Sequence, residues 1–132
     1  MPYGDSFLFI GEILECDANS IKANYLFQED AYFYESHFIN NPITPGVIIT
    51  ECMAQIGLVA FGISLLGKNA DFKNLKIGMS STKMDFYKPV IPGTKVTVES
   101  ELQYFRFNKL KCQCIMKNDD LGLIAKGEIS GM

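Results

Sequence analysis

The sequence predicts an α+β domain in which an antiparallel β-sheet wraps one long central helix. Two observations predict it. The first is a stretch of twenty residues, Val47 to Leu66, whose one charged side chain is Glu51 and whose other polar side chains are Thr50, Gln55 and Ser64. As a helix rising about 1.5 Å per residue it would run roughly 30 Å, the width of a small domain, and being apolar on nearly every face it must be covered on nearly every face. The second is the strand pattern downstream. Val96, Val98, Ser100, Leu102 and Tyr104 alternate with Lys95, Thr97, Glu99, Glu101 and Gln103, and Leu110, Cys112, Cys114 and Met116 alternate with Lys109, Lys111, Gln113 and Lys117. A period of two marks strands with one face buried, which is the cover the helix needs.

Each element has local reasons. A first strand is expected at Ile21 to Phe27. At the start of the helix, Thr44 can cap, Pro45 suits the first turn where its missing N–H costs nothing, and Gly46 allows close backbone approach. Gly67 fits the C-terminal stop. A strand is expected over Leu75 to Phe86, and Pro92-Gly93 is a turn before the long strand. Asn118-Asp119-Asp120 reads as the turn that sends Leu121 to Ile129 back as a hairpin partner. The twenty-residue stretch has the length of a membrane span. Glu51 and Gln55 one helical turn apart, glycines at 57, 62 and 67, and the lack of basic or aromatic anchors on its N-terminal side argue for a buried helix and no membrane partner. No repeat or linker divides the chain, so residues 1–132 form a single domain. An open sheet edge and an incompletely covered helix call for at least a dimer.

Composition narrows the function. With 48% hydrophobic and 20% charged residues the chain is too apolar for disorder, and a net charge of -3 provides no global basic field for nucleic acid. Four cysteines without a C-x-x-C pair, and a single histidine, do not make an ordinary zinc site, so no metal is expected. The acidic opening Met1-Pro2-Tyr3-Gly4-Asp5 and the short apolar run that follows do not read as a signal peptide, which points to the cytoplasm and reduced thiols. The charge is uneven: up to Ala70 eight acids face two lysines, whereas from Asp71 onward ten bases outnumber seven acids. The basic C-terminal half is either a set of solvated strand faces or a docking surface for an acidic protein.

The single histidine, His37, lies in a loop that leads to the helix start, and Glu51 follows fourteen residues later on the second helical turn. A carboxyl among Ile, Val and Met is costly unless it is paired or protonated. Both residues have structural alternatives, a hydrogen-bonded loop histidine and a carboxylate linked to Gln55. As a functional pair, a proton-accepting histidine and a desolvated acid suit elimination of water or proton movement next to a carbonyl. Backbone N–H groups at the helix start, Gly46 and Val47, would hold the carbonyl oxygen as negative charge develops on it. No G-x-S-x-G elbow, Walker sequence or Rossmann fingerprint competes. Cys52, beside Glu51, fits packing better than nucleophilic attack because no second histidine is present to activate it.

Ser36-His37-Phe38-Ile39-Asn40-Asn41-Pro42-Ile43-Thr44-Pro45-Gly46-Val47, followed by Glu51-Cys52-Met53-Ala54-Gln55, resembles the G-H-F-P-G-x-P-V-x-P-G-V...E-A-M-A-Q signature of the FabZ-type 3-hydroxyacyl-[acyl-carrier-protein] dehydratases. Phe7-Leu8-Phe9-Ile10 with Ile13-Leu14-Glu15 is similar to that family's opening segment, and Met84 to Gly93 is similar to its "arFkrPVvPGD" segment. The resemblance covers nearly the whole chain in order and spacing. It implies a hotdog fold, and a homodimer, assembled in many members into a hexamer of three dimers, with His37 from one subunit and Glu51 from the other. It also implies a 3-hydroxyacyl thioester substrate carried on the phosphopantetheine arm of acyl carrier protein, with no further cofactor. By the same resemblance His37 removes the C2 proton, Glu51 protonates the departing 3-hydroxyl, and Gly46 with Val47 polarises the thioester carbonyl. Phe38, Met53, Gln55 and Phe86 would line the acyl tunnel. Glutamate at 51, where the dehydratase-isomerase branch carries aspartate, implies dehydration without isomerisation.

The chain departs from the family pattern at Ser36, Ile39, Asn40 and Thr44, exchanging two glycines and a proline in the histidine loop. The resemblance implies fatty-acid or related polyketide or polyene biosynthesis, and these exchanges suggest a dedicated polyketide or polyene pathway in place of housekeeping fatty-acid synthesis. Two alternatives on the same fold are an acyl-thioester hydrolase and a non-catalytic partner subunit of a dehydratase hetero-oligomer; retention of both His37 and Glu51 speaks against the latter.

Overall fold

The computed structural model describes residues 8–28, 31, 43–66, 78–106 and 109–131 of the chain. Six strands form one antiparallel sheet: β1 (Ile13–Cys16), β2 (Ser20–Leu26), β3 (Met79–Phe86), β4 (Lys95–Arg106), β5 (Lys109–Asn118) and β6 (Gly122–Gly131), in the order β1-β2-β4-β5-β6-β3. Among the described residues one helix, 46–66, lies between β2 and β3 in sequence and packs onto one face of this sheet. The architecture is the expected one, a sheet around a single central helix.

The alternating pattern sets the buried face. In β4 Val96, Val98 and Ser100 are buried while Lys95, Thr97, Glu99 and Glu101 are not, and in β5 Leu110, Cys112, Cys114 and Met116 are buried between half-exposed neighbours. The β4–β5 register sets Val98 opposite Met116 and Ser100 opposite Cys114, so the buried side chains of both strands meet as pairs on the helix side. Every helical residue from Cys52 to Gly62 is buried. Phe9, Phe27 and Val90 belong to the same buried cluster, so segments outside the sheet help to cover the helix. Among the described residues the stretch Gly46–Leu65 is long and apolar enough to cross a membrane, but 67% of its most apolar window is buried inside the fold, as befits a core helix.

The turns follow their sequence signals. Thr94 N–H donates to the Ile91 carbonyl across Pro92-Gly93, and Gly93 sits at φ 86°, the conformation that a proline-glycine turn requires of its third residue. Asn118 Oδ1 accepts from the Asp120 and Leu121 N–H groups and closes the β5–β6 turn.

Several expectations are corrected. The helix begins at Gly46, and the cap position falls on Pro45 (φ −58°, ψ 142°) with no side-chain cap bond; Thr44 is buried and donates its N–H to the Val90 carbonyl, so it anchors the helix start to the segment after β3. The helix is not α-helical throughout. Gly46–Ala54 and Phe61–Leu66 are α-helical, and Gln55–Ala60 between them is a π-helical stretch, in which Phe61 N–H donates to the Ile56 carbonyl. Within it Ser100 Oγ donates to the Gly57 carbonyl at 3.0 Å, and Cys114 Sγ donates to Ser100 Oγ at 3.3 Å. Gly57 has no room for a side chain, since a Cβ there would lie 2.6 Å from Cys114 Sγ. β1 was not expected: all four of its residues are exposed, so it leaves no alternating trace, and its pairing with β2 makes it a strand. β3 begins at Met79, and the upstream part of the stretch expected from Leu75, like Gly67, lies outside the described residues.

Candidate active site

Of the nominated residues that can be placed, Gly46 and Phe86 border one concavity at the N-terminal end of the central helix, whereas Val47, Glu51, Met53 and Gln55 lie on the same helix but not on that concavity. Pro45 has neither an N–H nor a side chain able to cap, and the helix start carries no side-chain cap among the described residues. Ile48 and Ile49 N–H both donate to the Pro45 carbonyl, at 3.0 and 3.1 Å. Among the described residues no acceptor faces the N–H groups of Gly46 and Val47, and the Val47 side chain is 77% exposed. The first N–H groups of a helix have no intrahelical partner and carry the positive end of the helix dipole, so these two are placed to receive an oxygen that gains negative charge.

Beside them lies a concavity of about 300 Å³ bounded by Thr44, Gly46, Ile49 and the run Phe86 to Pro89. The Phe86 ring stands 3.4 Å from where a Cβ on Gly46 would sit, which places glycine and ring in direct apposition. Phe86 is 48% exposed and so remains available as a wall. Ile49, Tyr87 and Lys88 also border this space and were not nominated from the sequence. Ile49 is one helical turn beyond Gly46, and 87–88 directly continue the strand that ends at Phe86, so helical spacing and strand continuity were the signals. Lys88 Nζ donates to the Leu121 carbonyl, which ties this wall to the β5–β6 turn.

Glu51, half-buried on the second turn, accepts at Oε1 from Gln55 Nε2 at 3.0 Å. Gln55 is fully buried and accepts at Oε1 from the Phe9 N–H at 2.7 Å. Cys52, also fully buried, donates its thiol to the Phe9 carbonyl at 3.3 Å. The backbone of Phe9 is therefore held at its N–H and its C=O by two side chains of the same helix, and Gln55 in turn bonds the carboxyl of Glu51. Burial, with the neighbouring Glu51 charge adding to it, pushes the Cys52 thiol far above the usual thiol range, so it stays protonated and packs. Met53 is fully buried in the core cluster. His37 and Phe38 lie outside the described residues.

Among the described residues no group of three His, Cys, Asp or Glu side chains comes together in a metal-binding arrangement. The arrangement offers a partly desolvated carboxyl and a pair of oriented N–H donors about a turn and a half apart on one helix. It suits general acid chemistry on a substrate whose carbonyl sits at the helix start.

Comparison with known proteins agrees with this chemistry. A family model described as a FabA-like domain matches residues 1–124. The 3-hydroxyacyl-[acyl-carrier-protein] dehydratase FabZ of Wolbachia pipientis subsp. Culex pipiens is 34% identical, over 99% of this chain and 85% of the relative, and that of Ehrlichia ruminantium (strain Welgevonden) is 34% identical over 100% and 90%. Among solved structures, the dehydratase heterocomplex ApeI:P from Xenorhabdus doucetiae superposes with a TM-score of 0.80 at 12% identity, covering 99% of this chain and 86% of that one. A hypothetical thioesterase from Streptococcus pneumoniae superposes with a TM-score of 0.67 at 11% identity, covering 91% and 82%. At such identities the structures speak for the hotdog fold alone, which is as expected. Sequence identity above 30% across nearly full length speaks for more, and the chain belongs to the FabA-like family of hotdog proteins, among the FabZ-type 3-hydroxyacyl-[acyl-carrier-protein] dehydratases.

Proposed function

We propose that the chain removes water from a 3-hydroxyacyl thioester carried on acyl carrier protein and gives the trans-2-enoyl thioester, with Glu51 as the acid, His37 as the base and the Gly46 and Val47 N–H groups as the carbonyl site. The observation that carries this is the placement of Glu51: a carboxyl retained on a helix buried from Cys52 to Gly62, less than two turns from a helix start that is uncapped among the described residues and borders a concavity. The thioester oxygen bound at the helix start acquires charge as His37 takes the C2 proton. The C3–O bond then breaks while Glu51 delivers a proton to the departing hydroxyl, and the electron pair from C2 becomes the C2=C3 double bond. Proton, hydroxyl and Glu51 proton leave as one water and a protonated histidine, and transfer of the His37 proton back to Glu51, directly or through solvent, resets the pair.

The phosphopantetheine arm belongs to the carrier, and no resident cofactor takes part. The edge strand β3 is exposed along almost its whole length, and Val47, Phe86, Tyr87 and Ile91 leave apolar surface near the helix start. This supports a homodimer, alone or as three dimers in a hexamer, in which the partner's loop brings its histidine to this glutamate. Several bases of the C-terminal half are already paired, Lys111 with Glu128 and Lys117 with Glu99, but these are exposed contacts worth little and do not prevent an acidic carrier from engaging them.

The test is turnover of a 3-hydroxybutyryl carrier-protein thioester, read as conjugated enoyl absorbance, for wild type, His37→Ala and Glu51→Gln. Both variants should lose at least about 100-fold in kcat, the usual worth of a positioned acid or base. Unchanged turnover in either would remove that residue from the reaction, and release of free thiol would point to thioester hydrolysis. A panel of saturated and polyenoyl chains separates fatty-acid from specialised substrates: a clear preference for saturated chains discards the specialised pathway.

A further inference from the structure

We infer that Lys88 is a positioning residue that sets which acyl groups the site admits, by clamping the wall of the concavity at the helix start. The inference rests on the proposed dehydration and deepens it, since it bears on the group carried at C2 of the 3-hydroxyacyl thioester.

The wall is the run from Phe86 to Pro89, and its backbone is held unevenly. Sheet pairing ends at Phe86, opposite Ala125 of β6. Beyond it the Tyr87 and Lys88 N–H groups share one acceptor, the Ile124 carbonyl, at 2.8 and 3.3 Å. Pro89 has no N–H to donate, and the Val90 carbonyl accepts from the Thr44 N–H at 2.7 Å. Residues 88 and 89 also border a second space, a groove of about 930 Å³ that Leu14, Ile91 and Leu121 help to line. They therefore form the partition between that groove and the concavity of about 300 Å³ beside Gly46. A thinly bonded partition with open space on both sides can shift. The Lys88 side chain opposes this, because its Nζ donates to the Leu121 carbonyl in the β5–β6 turn. A Cβ on Gly122 would lie 4.0 Å from that Nζ, so the ammonium rests directly over the turn. The acceptor is itself fixed: Asn118 Oδ1 accepts from the Asp120 and Leu121 N–H groups at 2.9 and 3.0 Å, and Asn118 Nδ2 donates to the Lys95 carbonyl at 2.6 Å. Among the described residues no carboxylate forms an ion pair with Lys88 in competition.

With the thioester oxygen on the Gly46 and Val47 N–H groups, C2 is one bond from the carbonyl carbon. A second substituent on C2 therefore enters the same concavity and presses on this wall, whereas an unbranched chain does not. The strength of the Lys88 bond bounds how far it can bias the outcome, and one hydrogen bond of ordinary worth shifts a ratio by about threefold to tenfold.

The test compares dehydration of a 3-hydroxybutyryl and a 2-methyl-3-hydroxybutyryl carrier-protein thioester; the second still has one C2 proton to lose, and each gives its 2-enoyl thioester and water. Wild type should favour the unbranched substrate in kcat/KM by about 10-fold or more, the worth of one methyl group in a pocket not shaped for it. Lys88→Met keeps the stem but loses the donor, and should raise the branched-to-unbranched ratio about threefold to tenfold. Lys88→Arg keeps a donor on a long stem and should hold the ratio within about 1.5-fold of wild type. Asn118→Ala does not touch the concavity but frees the acceptor, and should relax the ratio in the same direction. A merely structural role would lower both activities together and leave the ratio alone. The Lys88 bond is exposed, so breaking it should cost little stability, and melting curves check this. The inference is overturned if wild type accepts both substrates equally, if Lys88→Met leaves the ratio within about 1.5-fold of wild type, or if Lys88→Arg relaxes it as far as Lys88→Met does. Should Lys88→Met not fold, Asn118→Ala carries the test, and an unmoved ratio there overturns the inference as well. Failure of wild type to dehydrate the unbranched thioester sinks the proposed function itself, whereas turnover with an unmoved ratio sinks the role of Lys88 alone.

Discussion

Replacing Gly57 by alanine tests how the helix is seated on the sheet. In an ordinary helix this exchange stabilises by up to about 1 kcal/mol. Here the added methyl would arrive 2.6 Å from Cys114 Sγ and 3.0 Å from Ser100 Cβ and Oγ, all side chains of the two central strands. Something must move, and the atoms in the way are those that hydrogen-bond one another and the Gly57 carbonyl. Overpacking costs about 1–3 kcal/mol and loss of the Ser100 bond adds about 1 kcal/mol, so a net destabilisation of about 2 kcal/mol is expected. For a chain of 132 residues that lowers Tm by about 6–8 °C. Thermal unfolding followed by circular dichroism measures it, and the Gly57→Ala/Cys114→Ala double variant supplies the control, because removing the sulfur removes the tightest contact. The double variant should recover about 1 kcal/mol relative to the sum of the singles. A single Gly57→Ala variant as stable as wild type, or strictly additive singles, would refute the close seating of helix on sheet.

Three further outcomes are expected. Gly46→Pro removes one N–H at a position where helices accept proline, and Pro45 at ψ 142° already has the conformation a residue before proline prefers; kcat should drop about 100-fold or more with Tm almost unmoved, and full activity would take the Gly46 N–H out of the reaction. Burial pushes up the thiols of Cys52, Cys112 and Cys114, the last to about 12, so their folded pKa values exceed the ordinary unfolded value of 9.0. The neutral folded form is favoured, and the stability it contributes is lost as pH rises above about 9, for Cys114 by about 1.4 kcal/mol per pH unit up to about 12; a Tm unchanged between pH 8 and 10.5 would contradict this. Light scattering at micromolar concentration should give at least twice the chain mass of 14.8 kDa, and a monomer in solution would remove the shared-site arrangement.

The fold was legible where burial imposes a period. The alternation in β4 and β5 and the uninterrupted apolar run of the helix leave almost no other arrangement, because a helix with no polar face must be enclosed and these strands each offer one apolar face. What periodicity cannot report is geometry decided by single contacts. The π-helical stretch shows only as Gln55-Ile56-Gly57-Leu58-Val59-Ala60, a segment any buried helix could contain, and its seating depends on Ser100 and Cys114, more than forty residues away. The capping expectation failed for a similar reason: Thr44 has the right side chain, but its backbone is committed to Val90 and the cap position slips to Pro45.

The site divides along the same line. Glu51 could be singled out because a lone carboxyl on a buried helix conflicts with its surroundings, and such conflicts are where function concentrates. Gln55 stood out too, though as a partner of unknown direction. Which of its ends faces Glu51 depends on Phe9, and nothing in Phe7-Leu8-Phe9-Ile10 announces that one residue of this segment will be bonded at both its N–H and its C=O by the helix. The direction of the Gln55–Glu51 hydrogen bond is thus set by a backbone group far away in sequence.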